Sequence, residues 1–344
     1  MLRAMPNNAT KPPVISDVAR RAGVSVPTVS RVLNGAAYVS DEKRQKVLRA
    51  IAELDFRPSA AARALVARQP KLIAVIAGNT SRYGYAETIR GIEESARAAG
   101  YTVSITVVES ADDETVSRAV SLVLDQPIAG VAVLKFDPPG VAALHRIPKS
   151  IPTVSISGVR EAGVPQAVLA EADAAEELVG YLLDLGHATV HHVRVPPSRK
   201  EDGRTTGWRR ALQARGAVVP HPIDASWEPE SGRDIGRALA ADPSVTAVFC
   251  GNDEIAMGVI RGLVEEGKRV PDDVSVVGFD DHPLARMWSP PLTTVDQDFA
   301  GLGSRAYGLL DSVIAGGRVR KFSSERPTLV IRESAAPPPP PPPA

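Results

Sequence analysis

Between Val26 and Arg31 the chain carries two hydroxyls and a guanidinium, on Thr28, Ser30 and Arg31. Short polar groups suit phosphate oxygens, and an arginine among them can grip the paired acceptors of a guanine edge. Such a set on one helix face is chemistry for reading duplex DNA. A second group, Asn79-Thr80-Ser81-Arg82-Tyr83-Gly84-Tyr85, is rich in partners for hydroxyls, although a plain surface loop has the same composition.

Other chemistries find little support. His191 and His192 are adjacent, so on a strand they would face opposite ways, and no carboxylate–histidine helix motif accompanies them or His187. The single cysteine, Cys250, removes any cysteine-built metal cluster or internal disulfide. Gly301-Leu302-Gly303-Ser304 lacks the strand and glycines of a nucleotide loop, and no serine sits in a nucleophile elbow. No catalytic residue, metal or cofactor is expected.

The polar set needs a helix to carry it. Ile15, Val18, Ala19 and Ala22 fall on one helical stripe that Gly23 stops. Ser25 is placed to cap a second helix, whose buried side is Val29, Val32 and Leu33 and which ends near Asn34 and Gly35. A third helix starts after Ser40 with Asp41 and Glu42 and buries Val47, Leu48, Ile51 and Leu54. The first two, joined at Gly23 to Ser25, have helix-turn-helix spacing; the bland reading is a helical hairpin packed on the body. Pro58 ends this module, and residues 59–67 are alanine-rich but too few for a stable helix alone.

From Leu72 the pattern changes. Strand-like runs at 72–77, 101–108, 128–134, 151–156, 190–195, 245–250 and 274–279 alternate with helical stretches near 86–99, 113–125, 173–185, 204–215, 230–241 and 253–266. Alternation of this kind implies parallel sheets with helices on both faces, and such sheets bind ligands at the carboxyl ends of their strands. The run Pro337–Pro343 reads as a solvated polyproline tail.

Charge separates the same two regions. The formal net charge of zero conceals twelve Lys or Arg against five Asp or Glu in residues 1–70, and 28 against 35 in the remainder. A basic head on an acidic body suits a polyanion-binding module whose body does not itself cling to DNA. No apolar run approaches the roughly 18 to 20 residues that cross a bilayer, and the N-terminal segment lacks the apolar core of an export signal. A cytoplasmic location without membrane contact is expected.

Ile15-x-Asp17-Val18-Ala19, Ala22-Gly-Val-Ser25, Thr28-Val-Ser-Arg-Val-Leu-Asn34 and Phe56-Arg-Pro58 together resemble the lactose repressor (LacI-type) family, and the likeness runs to about residue 331. The resemblance implies an all-α helix-turn-helix domain followed by a periplasmic-binding-protein-like domain of two doubly wound parallel-sheet subdomains. It divides the chain into a lead-in (1–13), a DNA-binding domain (14–57), a hinge helix or linker (58–70), an effector and dimerisation domain (71–331) and a disordered proline-rich tail (332–344). The first subdomain would take 71–160 and 297–322, and the second 161–296 and 323–331.

By the same resemblance Val26, Pro27 and Arg31 read bases, while Ser25, Thr28, Ser30 and Asn34 meet phosphates. Val26 and Pro27 have no side-chain donor, so apolar contact such as that to a thymine methyl is expected of them. Ala62, Arg63 and Leu65 belong to a hinge that enters the minor groove, Leu65 as a wedge. The effector pocket would draw on Ser81, Arg82, Tyr83, Tyr85, Arg204, Trp227, Asn252 or Asp253, Asp280 and Gln297. Arg204 lies in the family's Arg-x-x-Gly-aromatic motif and Trp227 aligns with a ring-stacking tryptophan.

The implied protein is a homodimeric repressor of a pseudo-palindromic operator, controlled by a small-molecule effector, a sugar, acting as inducer or as corepressor; a corepressor-dependent regulator of a non-sugar pathway is an alternative. A free sugar-binding protein of the periplasm is the competing class, opposed by the helix-turn-helix. Two stretches depart from the family pattern: Val14 stands where a capping threonine is frequent, and Leu169-Ala-Glu-Ala-Asp173 where a polar pair is.

Overall fold

The computed structural model describes residues 13–33, 38–56, 70–160, 163–197, 201–317 and 320–340. The chain forms two compact units, Met1–Pro70 and Lys71–Ala344. In the first, α1 (Ile15–Ala22), α2 (Val26–Leu33) and α3 (Asp41–Glu53) close on a core in which Val18, Val29 and Val47 are wholly buried. Gly23 ends α1 at φ 65°, left-handed backbone that a glycine adopts without strain. Val14 offers α1 no side-chain cap; the Asp17 carboxylate instead accepts from the Val14 amide at 3.0 Å. The stripe of α3 is narrower than its sequence suggests, since Leu48 is exposed and Ala50 is buried in its place.

The second unit holds two lobes. The first is a six-stranded parallel sheet in the order β11-β5-β4-β3-β1-β2, with β1 (Leu72–Ala77), β2 (Thr102–Val107), β3 (Gly130–Leu134), β4 (Thr153–Ser157), β5 (Gln166–Leu169) and β11 (Phe322–Glu325). Side chains alternate across a strand, and β1 shows the result. Ile73 and Val75 pack under α4 (Tyr83–Ala98) and α11 (Phe299–Ile314), while Ala74 and Ile76 pack under α5 (Asp113–Leu124) and α6 (Pro138–Arg146).

The second lobe is a four-stranded parallel sheet ordered β7-β6-β8-β9, from β6 (His191–Arg194), β7 (Ile223–Asp224), β8 (Ala247–Cys250) and β9 (Ser275–Val277). One face is covered by α7 (Glu171–Asp184) and α8 (Gly203–Ala214), the other by α9 (Pro229–Ala240) and α10 (Asp253–Glu265). α7 and α8 touch at Gly207, where a Cβ would lie 2.1 Å from the Ala172 carbonyl oxygen. β10 (Thr294–Asp296) and β12 (Thr328–Val330) form a separate antiparallel pair.

Two expectations need correction. β5 and β11 both belong to the first sheet, so the chain crosses between lobes after Leu169 and Glu325 rather than near 160 and 322. Nor is the chain free from residue 332 onward. Ser334 is fully buried: its hydroxyl donates to the Val276 carbonyl (2.6 Å) and accepts from the Thr293 amide (2.8 Å), while its carbonyl accepts from the Val276 amide (2.9 Å). Ala336 exchanges both its backbone bonds with the Ser275 hydroxyl, beside His187. A segment with only this much periodicity resembles a tail in sequence, because its hold comes from backbone bonding. Ser334→Ala should therefore lower unfolding free energy by about 1 to 3 kcal/mol, the cost of stranding buried polar partners, and an unchanged denaturant midpoint would contradict the strap.

Candidate functional site

α2 buries Val29 and Val32 and leaves Ser25, Val26, Pro27 and Arg31 exposed, with Thr28 and Ser30 half-buried. Pro27 sits in the first helical turn, where its missing N–H removes no bond. The Ser25 and Thr28 hydroxyls are 2.9 Å apart. Neighbouring cations are engaged, Arg20 by Asp17, Arg21 by Glu53 and Lys46 by Glu42. Arg31 makes no ion pair among the described residues, so its guanidinium stands free at the exposed face. Asn34, Ala62, Arg63 and Leu65 lie outside the described residues.

In the second unit the strands of both lobes aim their carboxyl ends at a shared cleft. Arg204, in the first turn of α8, stands at its centre. Asp202 fixes that turn by accepting from the Thr205 amide at 2.7 Å. The Arg204 guanidinium donates to the Gly251 carbonyl and to Glu171 (3.1 Å), lies 3.2 Å from Asp280, and sits 4.7 Å over the Phe279 ring. Gln297 backs the cluster, donating to Asp280 at 2.6 Å.

Burial raises the Glu171 carboxyl against the pull of Arg204. Burial likewise pushes Asp280 up to about 7, opposed by Arg204 and by the Gln297 hydrogen bond. The folded chain thus holds the Asp280 proton more tightly than the unfolded chain does. The stability this gives is complete below about pH 4 and is lost as pH rises through about 7. Asp280→Asn removes the dependence, so its melting temperature should fall less than the parent's between about pH 5 and pH 8. Parallel curves would mean that the carboxyl stays ionised throughout.

Arg82, Tyr83, Tyr85, Arg204, Trp227, Asn252 and Asp280 all line this cleft. Tyr83 meets Phe299 edge-on at 5.9 Å and His282 at 4.9 Å, and Arg82 lies 4.6 Å over the Trp227 ring. Tyr85 donates to Asp137 at 2.5 Å. Asn252 caps α10 through the Ile255 amide (2.9 Å) and donates to Glu254 (2.7 Å).

Three candidates fall elsewhere. The Asp253 carboxylate is turned inward, accepting from the Thr294 hydroxyl and the His282 amide, each at 2.6 Å, and burial holds its carboxyl well above the usual range. Gln297 is a layer behind the lining, and Ser81 faces a separate outer chamber. Sequence reasoning passed over Lys135, Phe136, Glu171, Glu254 and Phe299, which do line the cleft. The rule that ligands sit past strand carboxyl ends, applied to β3 and β5, would have found Lys135, Phe136 and Glu171.

Comparison with known proteins finds relatives for both units. Residues 14–59 match the family model of bacterial regulatory proteins, lacI family, and residues 179–335 match a periplasmic binding protein-like domain. The HTH-type transcriptional repressor PurR of Erwinia tasmaniensis is 35% identical over 328 residues, covering 93% of this chain and 96% of that one. The lac repressor dimer bound to operator and the anti-inducer ONPF superposes with a TM-score of 0.88 at 29% identity, over 95% of this chain and 100% of that one. A complex of the transcriptional regulator CelR with cellobiose gives a TM-score of 0.70 at 27% identity, over 94% and 99% of the two chains. The chain belongs to the lacI family of bacterial regulatory proteins.

Proposed function

We infer that the protein is a DNA-binding transcriptional repressor, acting in the cytoplasm as a homodimer on a pseudo-palindromic operator and controlled by a sugar held in the cleft. The observation that carries the DNA reading is the outward face of α2, where Arg31 makes no ion pair among the described residues and is flanked by the small side chains of Val26 and Pro27. Arg31 would read a guanine edge, Val26 and Pro27 would touch apolar base edges, and Ser25, Thr28, Ser30 and Asn34 would meet phosphates. The hinge carrying Ala62, Arg63 and Leu65 would enter the minor groove between the two half-sites.

The ligand class follows from charge. Four acidic side chains, on Glu171, Asp202, Glu254 and Asp280, some of them held towards the protonated form by burial, share the walls with three cations, on Arg82, Lys135 and Arg204, and the last is already held by two of the acids. A neutral molecule with many O–H donors suits such walls, whereas a phosphate or carboxylate does not. Tyr83, Phe136, Trp227 and Phe299 offer ring faces for the apolar side of a sugar. These aromatic faces also favour a second class, flat nitrogen heterocycles, which have fewer donors for the acids.

Ligand contacts that differ between open and closed lobes would alter the hinge spacing in the dimer and so the DNA affinity. Selection of duplexes from a random pool by the full chain tests the proposal. One operator should emerge, preferred over random DNA by about 10³ or more, with affinity falling linearly in log salt and changed by a sugar. Deletion of residues 1–70 should abolish the retention. Absence of any preferred duplex, with or without sugars and heterocycles, would refute it.

A further inference from the structure

We propose that His192 is a positioning residue for the response to the small molecule: it sets the first turn of α8 and thereby the place of Arg204 on the cleft wall. The proposal rests on the effector reading of the cleft, whereas the experiment below needs no effector, so the two can fail separately.

His192 is wholly buried on the face of β6 that α8 covers, its ring stacked on that of Phe249 at 4.6 Å and 5.3 Å from that of Trp208. Packing alone does not ask for a histidine there. A buried polar ring costs free energy unless its nitrogens are bonded, and both are. Nδ1 lies 3.0 Å from the Phe249 carbonyl oxygen and Nε2 lies 3.1 Å from the Thr205 hydroxyl. A carbonyl only accepts, so Nδ1 carries the proton, and Nε2 of the neutral ring accepts from Thr205. Burial, opposed by the Phe249 hydrogen bond, pushes the ring down to about 4, which keeps it neutral at about pH 7.

Thr205 and Arg204 are neighbours in the first turn of α8, where backbone amides find no partner inside the helix. The Asp202 carboxylate accepts from the Thr205 amide at 2.7 Å, and His192 accepts from the Thr205 hydroxyl, which has no other hydrogen bond among the described residues. Successive side chains diverge by about 100° around a helix, so pinning Thr205 to the sheet fixes the direction in which Arg204 leaves it. These groups close a circuit. Phe249 and Gly251, at the end of β8, are held through their carbonyls by His192 and by Arg204, and the Thr205 hydroxyl links the two. The rest of α8 has its own anchors: the Trp208 indole donates to the Val190 carbonyl at 2.8 Å, and Gly207 lies against α7. Loss of the His192 bond would therefore free the first turn without releasing the helix.

Phenylglyoxal modification of the full chain, mapped by mass spectrometry, measures how often each buried guanidinium opens to solvent. Arg204 and Arg332 lie in the same unit with side chains 12% and 17% exposed, so Arg332 serves as the control. His192→Phe keeps a flat ring and drops both bonds. It should speed reaction at Arg204 about tenfold, the shift in local opening expected when a buried hydrogen bond is lost, and leave Arg332 unchanged. Glutamine can place an oxygen where Nε2 lies, so His192→Gln should restore the slow rate, whereas the shorter side chain of His192→Asn does not reach Thr205 and should not. Thr205→Val removes the same bond from the helix side; it should match His192→Phe and add nothing to it in the double variant. Equal acceleration at Arg332, a slow rate in His192→Phe, or asparagine rescuing as well as glutamine would overturn the role and leave His192 a packing residue.

Discussion

Replacing Arg204 by alanine should unfold the second unit about 3 to 5 kcal/mol more easily and abolish the response of operator affinity to its small-molecule effector. The magnitude comes from what the substitution leaves behind. Glu171 and Asp280, almost wholly buried, would lose their shared counter-charge, and the Gly251 carbonyl would lose its donor. Arg204→Lys restores one charge without the planar fork, and it should recover part of the stability but little of the response. Denaturant unfolding followed in parallel with operator binding separates the two effects. A variant as stable as its parent would show that the cluster stores no such energy. The motif Arg204-x-x-Gly-aromatic pointed to a guanidinium offered to ligand. The structure shows one already held by the protein's own acids, so ligand would have to enter an existing network.

Arg31→Ala should cost about 1 to 3 kcal/mol in each half-site, hence about twice that on a symmetric operator, as a lost bidentate base contact does. The loss should be confined to sequences carrying the preferred base at one position. Anisotropy titrations against operators mutated at each position in turn would show the preference vanish at that position alone. Equal weakening on all duplexes, with a salt slope smaller by about two on a symmetric operator (about one per half-site), would instead place Arg31 on a phosphate. No ion pair among the described residues has to be broken to free this side chain, so the change should leave the melting temperature of the protein unaltered.

The three N-terminal helices were legible because their ends are written in local signals: Gly23 for a left-handed stop, Ser40 with Asp41 for a start. The central strands were legible as apolar runs. β5 and β11 were not, since they pair with each other across more than 150 residues of sequence, which no local pattern records. α11 was hidden for another reason. Its start, Asp298, sits at φ 37° and caps the Gly301 amide, and glycines at its beginning disguised a helix as a failed nucleotide loop. Side-chain direction was the hardest part of the site to foresee. Asn252 and Asp253 are neighbours at a helix start, where successive side chains diverge by about 100°. One faces the cleft, and the other ties β10 and the turn after β9 together.

The strap at Ser334 and Ala336 has a bearing on how the polypeptide is made. Helices α1 to α3 contact one another over short sequence distances and can form as soon as they leave the ribosome. The ligand-binding lobes cannot be finished then, because β11 completes the first sheet and residues 334–336 lock β9 of the second, and both are synthesised long after α3. A nascent chain therefore acquires its operator-reading head well before its sensor. Premature termination shortly upstream of Ser334 would yield a product with an intact head and an unsealed body.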